Sequence, residues 1–162
     1  MRFRTGFRQG AFRSVLVALM ATVAATAAEA QSSRVGARLG LDFDRDELFL
    51  GAQLTVPIST MVEFYPSIDI YTPDRGSLLG FNGDFKFRLP RDGSLDLYAG
   101  GGLGILSRSV EDNSNTDLGV NLFFGIESRV GRVHPFGEAR IKIADGSGFQ
   151  LLGGLNFVLG GS

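Results

Sequence analysis

The chain has 162 residues, which suits one domain and is too short for two of ordinary size. It has no cysteine and a single histidine, His134, so disulfides and thiolate metal sites are excluded and few ligands remain for a histidine metal site. The 16 basic and 17 acidic residues give a net charge of −1, without the excess of positive charge that nucleic-acid binding requires.

The first thirty residues have the three parts of a secretory signal. They open with a basic stretch that contains no acidic residue and four arginines (Arg2, Arg4, Arg8 and Arg13). The apolar run Val15–Ala28 is too short to cross a bilayer as a helix, and Ala28-Glu29-Ala30 supplies the small-x-small cleavage pattern. We therefore predict a cleaved signal peptide over residues 1–30 and one domain over residues 31–162. Removing the signal leaves a charge of about −4, because it carries four of the basic residues and one acid.

From Arg34 onward the chain repeats segments of apolar and polar alternation, each followed by a turn, which is the pattern of a β-strand with two different faces. The pattern predicts eight strands, at residues 34–43, 48–58, 62–71, 78–89, 95–107, 117–130, 133–143 and 149–159. In the first segment the apolar positions are Val35, Ala37, Leu39, Leu41 and Phe43. An even number of evenly spaced strands favours an antiparallel up-and-down barrel, which closes without an exposed edge.

The connections alternate in character. Those after the second, fourth and sixth segments are short or turn-like (Ser59-Thr60-Met61, Pro90 to Ser94, Gly131-Arg132). The connections at residues 44–47, 72–77 and 110–116 are more polar, and they are the candidate surfaces for partners. Outer-membrane barrels place brief turns on the periplasmic side and longer loops on the outer side.

Three features indicate that the polar face is the inner one. The apolar positions carry more large side chains than the lumen of an eight-stranded barrel can hold. Glycines, which suit crowded positions, fall on the polar face (Gly36, Gly40, Gly51, Gly80, Gly100, Gly102, Gly104, Gly119, Gly125 and Gly154). The same face carries seven cations (Arg34, Arg38, Lys86, Arg88, Arg129, Arg140, Lys142) and eight acids (Asp42, Glu63, Asp69, Asp84, Asp96, Asp117, Glu127, Glu138), a balance that allows buried charges to pair.

With these features the mature chain resembles the small outer-membrane barrels of the OmpA/OmpX type, which share a signal peptide, eight alternating strands and a polar packed lumen. The resemblance implies an all-β, eight-stranded antiparallel transmembrane β-barrel whose lumen is filled by side chains. In such barrels tyrosine and tryptophan form aromatic belts. Here phenylalanine is expected to form most of the belt, with Tyr65, Tyr71 and Tyr98 as the tyrosine contribution.

We expect twelve of the charged side chains to form an ion network inside the lumen, hereafter the lumen network. Its members are Arg38, Glu63, Asp69, Asp84, Lys86, Arg88, Asp96, Glu127, Arg129, Glu138, Arg140 and Lys142. If Pro90 to Ser94 closes a five-residue hairpin, Leu89 lies opposite Leu95 and Arg88 opposite Asp96, where they form an ion pair. Asp84 and Lys86 then find partners deeper in the lumen.

No catalytic, cofactor-binding or metal-binding residues are predicted. Acyl transfer would need a nucleophile beside a base, but a turn at Gly131-Arg132 directs Ser128 outward and His134 into the lumen. The glycine run Gly100–Gly104 is not followed by a helix, so it lacks the helix N-terminus of a phosphate-binding loop. Glycine at crowded strand positions is the better explanation of that run.

The sequence therefore predicts a non-enzymatic protein of the Gram-negative outer membrane with a structural or surface-interaction role. It is porin-like in build but too narrow to be a general porin. The expected partners are outer-membrane lipid and lipopolysaccharide, the barrel-assembly machinery and surface partners at the polar loops, with no nucleic acid. One alternative is a soluble periplasmic or secreted barrel that binds an apolar ligand as lipocalins do. A lipid-modifying outer-membrane enzyme is a further alternative.

Overall fold

A computed structural model describes residues 33–73, 77–89, 93–110, 113–144 and 147–160. The predicted signal peptide lies outside these residues. The described chain consists of eight antiparallel strands, and they are β1 Arg34–Asp42, β2 Glu47–Pro57, β3 Val62–Tyr71, β4 Ser77–Leu89, β5 Leu95–Val110, β6 Asn113–Ser128, β7 Val133–Ile143 and β8 Ser147–Val158. Within these ranges no helix is long and apolar enough to cross a membrane.

The strands form a closed barrel in sequence order, with β8 paired back to β1. Arg34 pairs with both Thr55 and Val158, so the sheet has no break between its first and last strands. This is the predicted up-and-down topology. We call the end of the barrel at which β1 begins and β8 ends the turn end, because the connections after β2, β4 and β6 lie there, and the opposite end the loop end.

Side chains alternate between the lumen and the outside along each strand, as the period of two requires. On β1 the odd-numbered apolar residues are exposed on the outer face, while Arg34, Arg38 and Asp42 are buried. Large apolar side chains are exposed on the outer face of all eight strands, and Leu50 on β2 (60%) and Leu118 on β6 (66%) are examples. The inside-polar assignment of the two faces is correct.

Each predicted strand is present, but the β5–β6 hairpin is longer than predicted. The sequence predicted a loop over residues 110–116, whereas β5 extends to Val110 and β6 begins at Asn113. Ser107 pairs with Thr116 and Arg108 with Asn115, so these polar residues form a ladder. They lack the apolar alternation that identifies a strand, and on β6 they lie beyond the ladder with β7, which begins at Val120. Glu47 and Ser77, also assigned to loops, are the first residues of β2 and β4.

The predicted register between β4 and β5 is wrong by two residues. Leu89 pairs with Leu97 instead of Leu95, and Arg88 pairs with Tyr98 instead of Asp96. Leu95 and Asp96 are the first residues of β5, but among the described strands they pair only with β6, and the pairing of β5 with β4 begins at Leu97. A shift of two residues keeps each side chain on its face, and Arg88 and Asp96 therefore still point into the lumen.

Candidate functional site

The lumen is the candidate functional site, since it holds the charged side chains of the barrel. Arg38, Asp84, Lys86 and Arg140 are each 1% exposed or less. They are carried by β1, β4 and β7, which place them on opposite walls of one narrow interior. Burying a charge is costly unless it is paired and hydrogen-bonded, so the pairing of these groups decides whether the interior is stable.

At the turn end, cations and carboxylates alternate around Glu63 and Glu127. Arg34 Nη2 lies 2.7 Å from Glu63 Oε1, and its Nε lies 3.3 Å from Glu127 Oε1. Arg88 also donates to Glu63, and Lys86 Nζ lies 3.4 Å from Glu127 Oε2. Each carboxylate therefore contacts two cations, and the cluster links four strands.

Asp96 lies at the edge of this cluster. Arg129 Nε approaches its Oδ2 to 2.6 Å, and Arg88 Nη1 lies 3.7 Å from the same atom. The predicted Arg88–Asp96 ion pair is thus present, but it is diagonal, and its N–O distance is longer than that of the Arg129 contact. The corrected register explains the diagonal, since Asp96 is two residues from the position opposite Arg88.

The centre of the lumen is built around two arginines. Arg38 makes a bidentate contact with Asp69, with Nε and Nη2 at 2.8 and 2.6 Å from the two carboxylate oxygens. Arg140 bridges Asp84 (2.8 Å) and Glu138 (2.9 Å). The planar guanidinium group can donate to two acceptors at once in a fixed fork, which suits it to such bridges.

Eleven of the twelve members of the predicted lumen network form an ion pair in the structure (Arg38, Glu63, Asp69, Asp84, Lys86, Arg88, Asp96, Glu127, Arg129, Glu138 and Arg140). The exception among the described contacts is Lys142, whose Nζ donates to Tyr71 Oη at 2.8 Å. Asp84 and Lys86 have the partners across the lumen that the sequence led us to expect.

The three tyrosines face the lumen, so their assignment to an aromatic belt is wrong. Tyr65, Tyr71 and Tyr98 are at most 3% exposed. Lys86 Nζ lies 4.2 Å from the ring centroids of both Tyr65 and Tyr98, an arrangement in which the two ring faces stabilise the cation. The hydroxyl of Tyr65 donates to Gln53 and that of Tyr98 to Glu138. A buried tyrosine needs such a partner, and this polar interior supplies it.

Sequence reasoning also missed an apolar component of the lumen. Phe49, Leu78, Phe136 and Leu152 form a buried cluster with Tyr71, and Phe123 packs with Tyr65 and Tyr98. The signal was present in the alternation, because Phe49 shares its face with Gln53, and Phe123 shares its face with Asn121. The lumen is therefore a mixed interior in which aromatic side chains separate the ion pairs.

The inner face has little spare space where glycines occur. A Cβ added at Gly104 would lie 2.9 Å from Asn82 Oδ1, and one at Gly102 would lie 2.6 Å from Asp84 Cα. A Cβ on Gly36, Gly40 or Gly154 would likewise meet neighbouring atoms at less than 3 Å. These positions are crowded, as expected for glycines on the inner face.

His134 and Ser128 lie on opposite faces, as predicted. His134 is 7% exposed in the lumen, where its Nε2 is 3.1 Å from the carbonyl of Gly131 and its Nδ1 is 3.5 Å from Glu127. Ser128 follows the buried Glu127 on β6 and so belongs to the outer face. The two side chains therefore do not form a nucleophile–base pair.

At the loop end the lumen opens into a cavity of about 300 Å³, which we call the loop-end cup. Its polar lining consists mainly of Asp44, Arg45, Asn82, Asp117, Asn121 and Lys142. Gly104, Gly119 and Gly148 line it as well, and at these three positions the wall is bare backbone. Asn121 donates to Asn82 Oδ1 (3.0 Å) and to Asp84 (2.9 Å), so these amides form a floor between the cup and the filled part of the lumen.

Comparison with solved structures finds transmembrane barrels. The N-terminal β-barrel domain of Pseudomonas aeruginosa OprF superimposes with a TM-score of 0.68 at 14% identity, covering 80% of this chain and 98% of that one. Neisserial surface protein A (NspA) gives 0.59 at 10% identity, with 79% and 95% covered. A structure from the de novo design of transmembrane β-barrels gives 0.59 at 12%, with 81% and 98% covered.

No family model and no curated protein matches the chain. At 10–14% identity the structural likeness concerns the fold alone. The topology, the apolar outer face and the polar lumen agree with that likeness. The chain has the fold of the small eight-stranded outer-membrane β-barrels.

Proposed function

We propose that this protein is a non-enzymatic barrel of the bacterial outer membrane with a structural or surface-interaction role. The observation that carries the proposal is the outer face, where large apolar side chains are 41–66% exposed around the barrel. Soluble monomers rarely expose contiguous apolar patches of more than a few hundred Å². A lipid bilayer removes the cost of such a surface, and a closed barrel leaves no strand edge unpaired within it.

The lipocalin-like alternative requires the opposite arrangement of faces. A soluble barrel that carries an apolar ligand has an apolar lumen and a polar outside. Here the lumen contains Arg38, Lys86 and Arg140 at 1% exposure or less, while Leu50 and Leu118 are exposed. The structure therefore argues against this alternative.

The surface-interaction role is supported by the β5–β6 hairpin. The β6–β7 ladder begins at Val120, which pairs with Ile143, so residues 113–119 of β6 pair with β5 alone among the described strands. Their other edge presents backbone groups at the loop end, and such an edge can accept a strand from another protein. We propose the loop end as the surface at which partners bind, with lipopolysaccharide around the wall.

Export and assembly complete the proposal. The signal peptide over residues 1–30 directs the chain across the inner membrane, and the barrel-assembly machinery inserts the mature protein. N-terminal sequencing of the purified protein is expected to begin at Gln31. The protein is expected in the outer-membrane fraction, and unboiled samples should migrate faster in detergent gels than boiled ones. A protein with Met1 retained, or one recovered in the soluble periplasm, would contradict export or membrane insertion respectively.

Orientation is tested with single cysteines, since the native chain has none. Asn115→Cys lies in the exposed hairpin at the loop end, and Arg132→Cys lies in an exposed turn at the opposite end. In intact cells a membrane-impermeant maleimide should label Asn115→Cys and leave Arg132→Cys unlabelled until the outer membrane is permeabilised. Equal labelling of the two variants in intact cells would contradict the proposed placement.

A further inference from the structure

We propose that the loop-end cup is a binding site for a small zwitterion of about the size of a dipeptide, a solute with one ammonium and one carboxylate group. The inference goes beyond the structural or surface role proposed above. It depends on the charges that line the cup, on its volume and on its floor.

Two charged residues of the inner face lack an ion-pair partner among the described residues. Of the fifteen charged residues that the sequence places there, thirteen form ion pairs in the structure, and the two that do not are Lys142 and Asp117. Lys142 donates to Tyr71 Oη, and Asp117 accepts a 3.4 Å hydrogen bond from Asn115. Among the described residues no ion-pair partner of opposite charge reaches either group. Both line the same cavity, together with Asp44, which accepts a hydrogen bond from the Phe149 amide, and Arg45, which pairs with Asp42.

The two groups do not form an ion pair with each other, and their backbone positions are well separated along the sheet. Lys142 pairs with Asn121, and Asp117 lies four residues further along β6. That separation corresponds to about 13 Å of strand. A ligand whose carboxylate contacts Lys142 and whose ammonium contacts Asp117 would complete both ion pairs with groups of opposite sign at its two ends.

The volume sets the size of the ligand. At about 300 Å³ the cup lies at the lower end of the range for small-molecule sites. Since a water molecule takes up about 30 Å³, there is room for roughly ten non-hydrogen atoms. A dipeptide of two small residues has about this size, and its terminal charges are separated by a full peptide unit, whereas the charges of a single amino acid adjoin one carbon atom.

The floor and the walls give the cup its shape. The Asn82–Asn121 amide pair closes it toward the turn end, where Asp84 accepts a further hydrogen bond from Asn121. Gly104 lies over this pair, and a Cβ there would come within 2.9 Å of Asn82 Oδ1. Ile105 and Leu106 contribute apolar surface on one side. A solute can therefore enter from the loop end, and the filled lumen stops it below, so the site captures a ligand instead of conducting it.

The probe is glycylglycine, titrated by isothermal calorimetry into the full-length mature protein in detergent micelles. Two analogues, glycylglycinamide and N-acetylglycylglycine, each remove one terminal charge. We expect glycylglycine to bind in the millimolar range or better. Each analogue should bind about tenfold more weakly, because each loses one charge-assisted hydrogen bond.

Two variants connect the loss to particular groups. Lys142→Met should weaken glycylglycine binding about tenfold and should abolish the preference for glycylglycine over glycylglycinamide. Asp117→Asn should abolish the preference over N-acetylglycylglycine. Asp46→Asn is the matched control, because Asp46 lies in the neighbouring β1–β2 turn and does not line the cup, and asparagine tolerates its φ of 54°.

Faster migration of unboiled samples shows that each variant is folded, so a loss of binding can be separated from a loss of the barrel. Equal binding of glycylglycine and both analogues, unchanged preferences in both variants, or no binding by the native protein would overturn the proposal. None of these results would alter the fractionation and labelling outcomes that test the outer-membrane role.

Discussion

The inner and outer faces of the barrel wall differ sharply, although they are built from neighbouring residues. On β6, Asn121 is 1% exposed and hydrogen-bonded to Asn82, whereas the next residue, Leu122, is 49% exposed on the outer face. The inner face collects charges, aromatic rings and glycines, and the outer face collects leucine, isoleucine, valine and phenylalanine. One strand therefore meets two opposite requirements, and shifting it by one residue would violate both.

On the inner face, a substitution is expected to cost the most unfolding free energy where one buried cation pairs with two carboxylates. Arg140→Met would leave Asp84 and Glu138 without their shared partner. The variant should lose about 3–5 kcal/mol of unfolding free energy, because removing one member of a buried ion group leaves uncompensated charge. Urea unfolding in lipid vesicles, followed through the fluorescence of the three buried tyrosines, measures the change.

The control for this prediction neutralises the whole group. In the triple variant Asp84→Asn, Glu138→Gln and Arg140→Met, the two amides keep acceptors for Asn121 and Tyr98, which donate to the native carboxylates. Most of the lost stability should return, since replacing every member of a buried ion group is often close to neutral. A triple variant as unstable as Arg140→Met alone would show that shape, and not charge pairing, governs this part of the lumen.

A charge introduced on the outer face tests whether that face contacts lipid. Leu122 lies midway along the outer row of β6, between Leu118 and Ile126. Leu122→Arg should cost about 2–4 kcal/mol if this position meets the bilayer midplane, and the cost should fall to about 0–1 kcal/mol at Val130→Arg in the turn. Unfolding in vesicles gives both values. Equal costs at the two sites would mean that the outer face does not span a bilayer.

Glycine-to-alanine substitutions compare the two faces without any change of charge. Gly102 faces the lumen, where a Cβ would lie 2.6 Å from Asp84 Cα and would also meet the carbonyl of Gly83, whereas Gly83 has open space. Gly102→Ala should lose about 1–3 kcal/mol of unfolding free energy through overpacking. Gly83→Ala should be close to neutral in the same assay. A neutral Gly102→Ala would show that the inner wall yields more easily than its geometry indicates.

The sequence predicted the faces and most strand limits because alternation is a local signal. The register between β4 and β5 could not be read in the same way, since an offset of two residues, such as Leu89 opposite Leu95 or Leu97, preserves the match of apolar with apolar. The extension of β6 to Asn113 was hidden by its polar composition, which is typical of loops.

The sequence also could not predict which charged residues pair with each other inside the lumen. Which acid meets which cation depends on positions across the barrel, as the 2.6 Å contact between Arg129 and Asp96 shows. The same holds for Lys142, which the sequence places among twelve similar network members and the structure separates from the other eleven. The loop-end cup was not predicted, because a cavity is defined by side chains that several strands contribute.

The smallest loss of unfolding free energy is expected at the edge of the lumen. Its size shows where the inner face becomes accessible to solvent. The side chain of Asp96 is 16% exposed, and its partners Arg88 and Arg129 are 11% and 37% exposed. Asp96→Asn should therefore cost only about 0.2–1 kcal/mol, the value of a solvated pair. Arg88 keeps its contact with Glu63 in this variant, so no buried charge is left alone.

Added salt should reduce the difference in unfolding free energy between Asp96→Asn and the native protein, because ions screen exposed pairs. The loss in Arg140→Met should persist in salt. If Asp96→Asn costs nearly as much as Arg140→Met and salt does not change the cost, Asp96 is buried. The solvent-excluded part of the lumen would then extend as far as the turn.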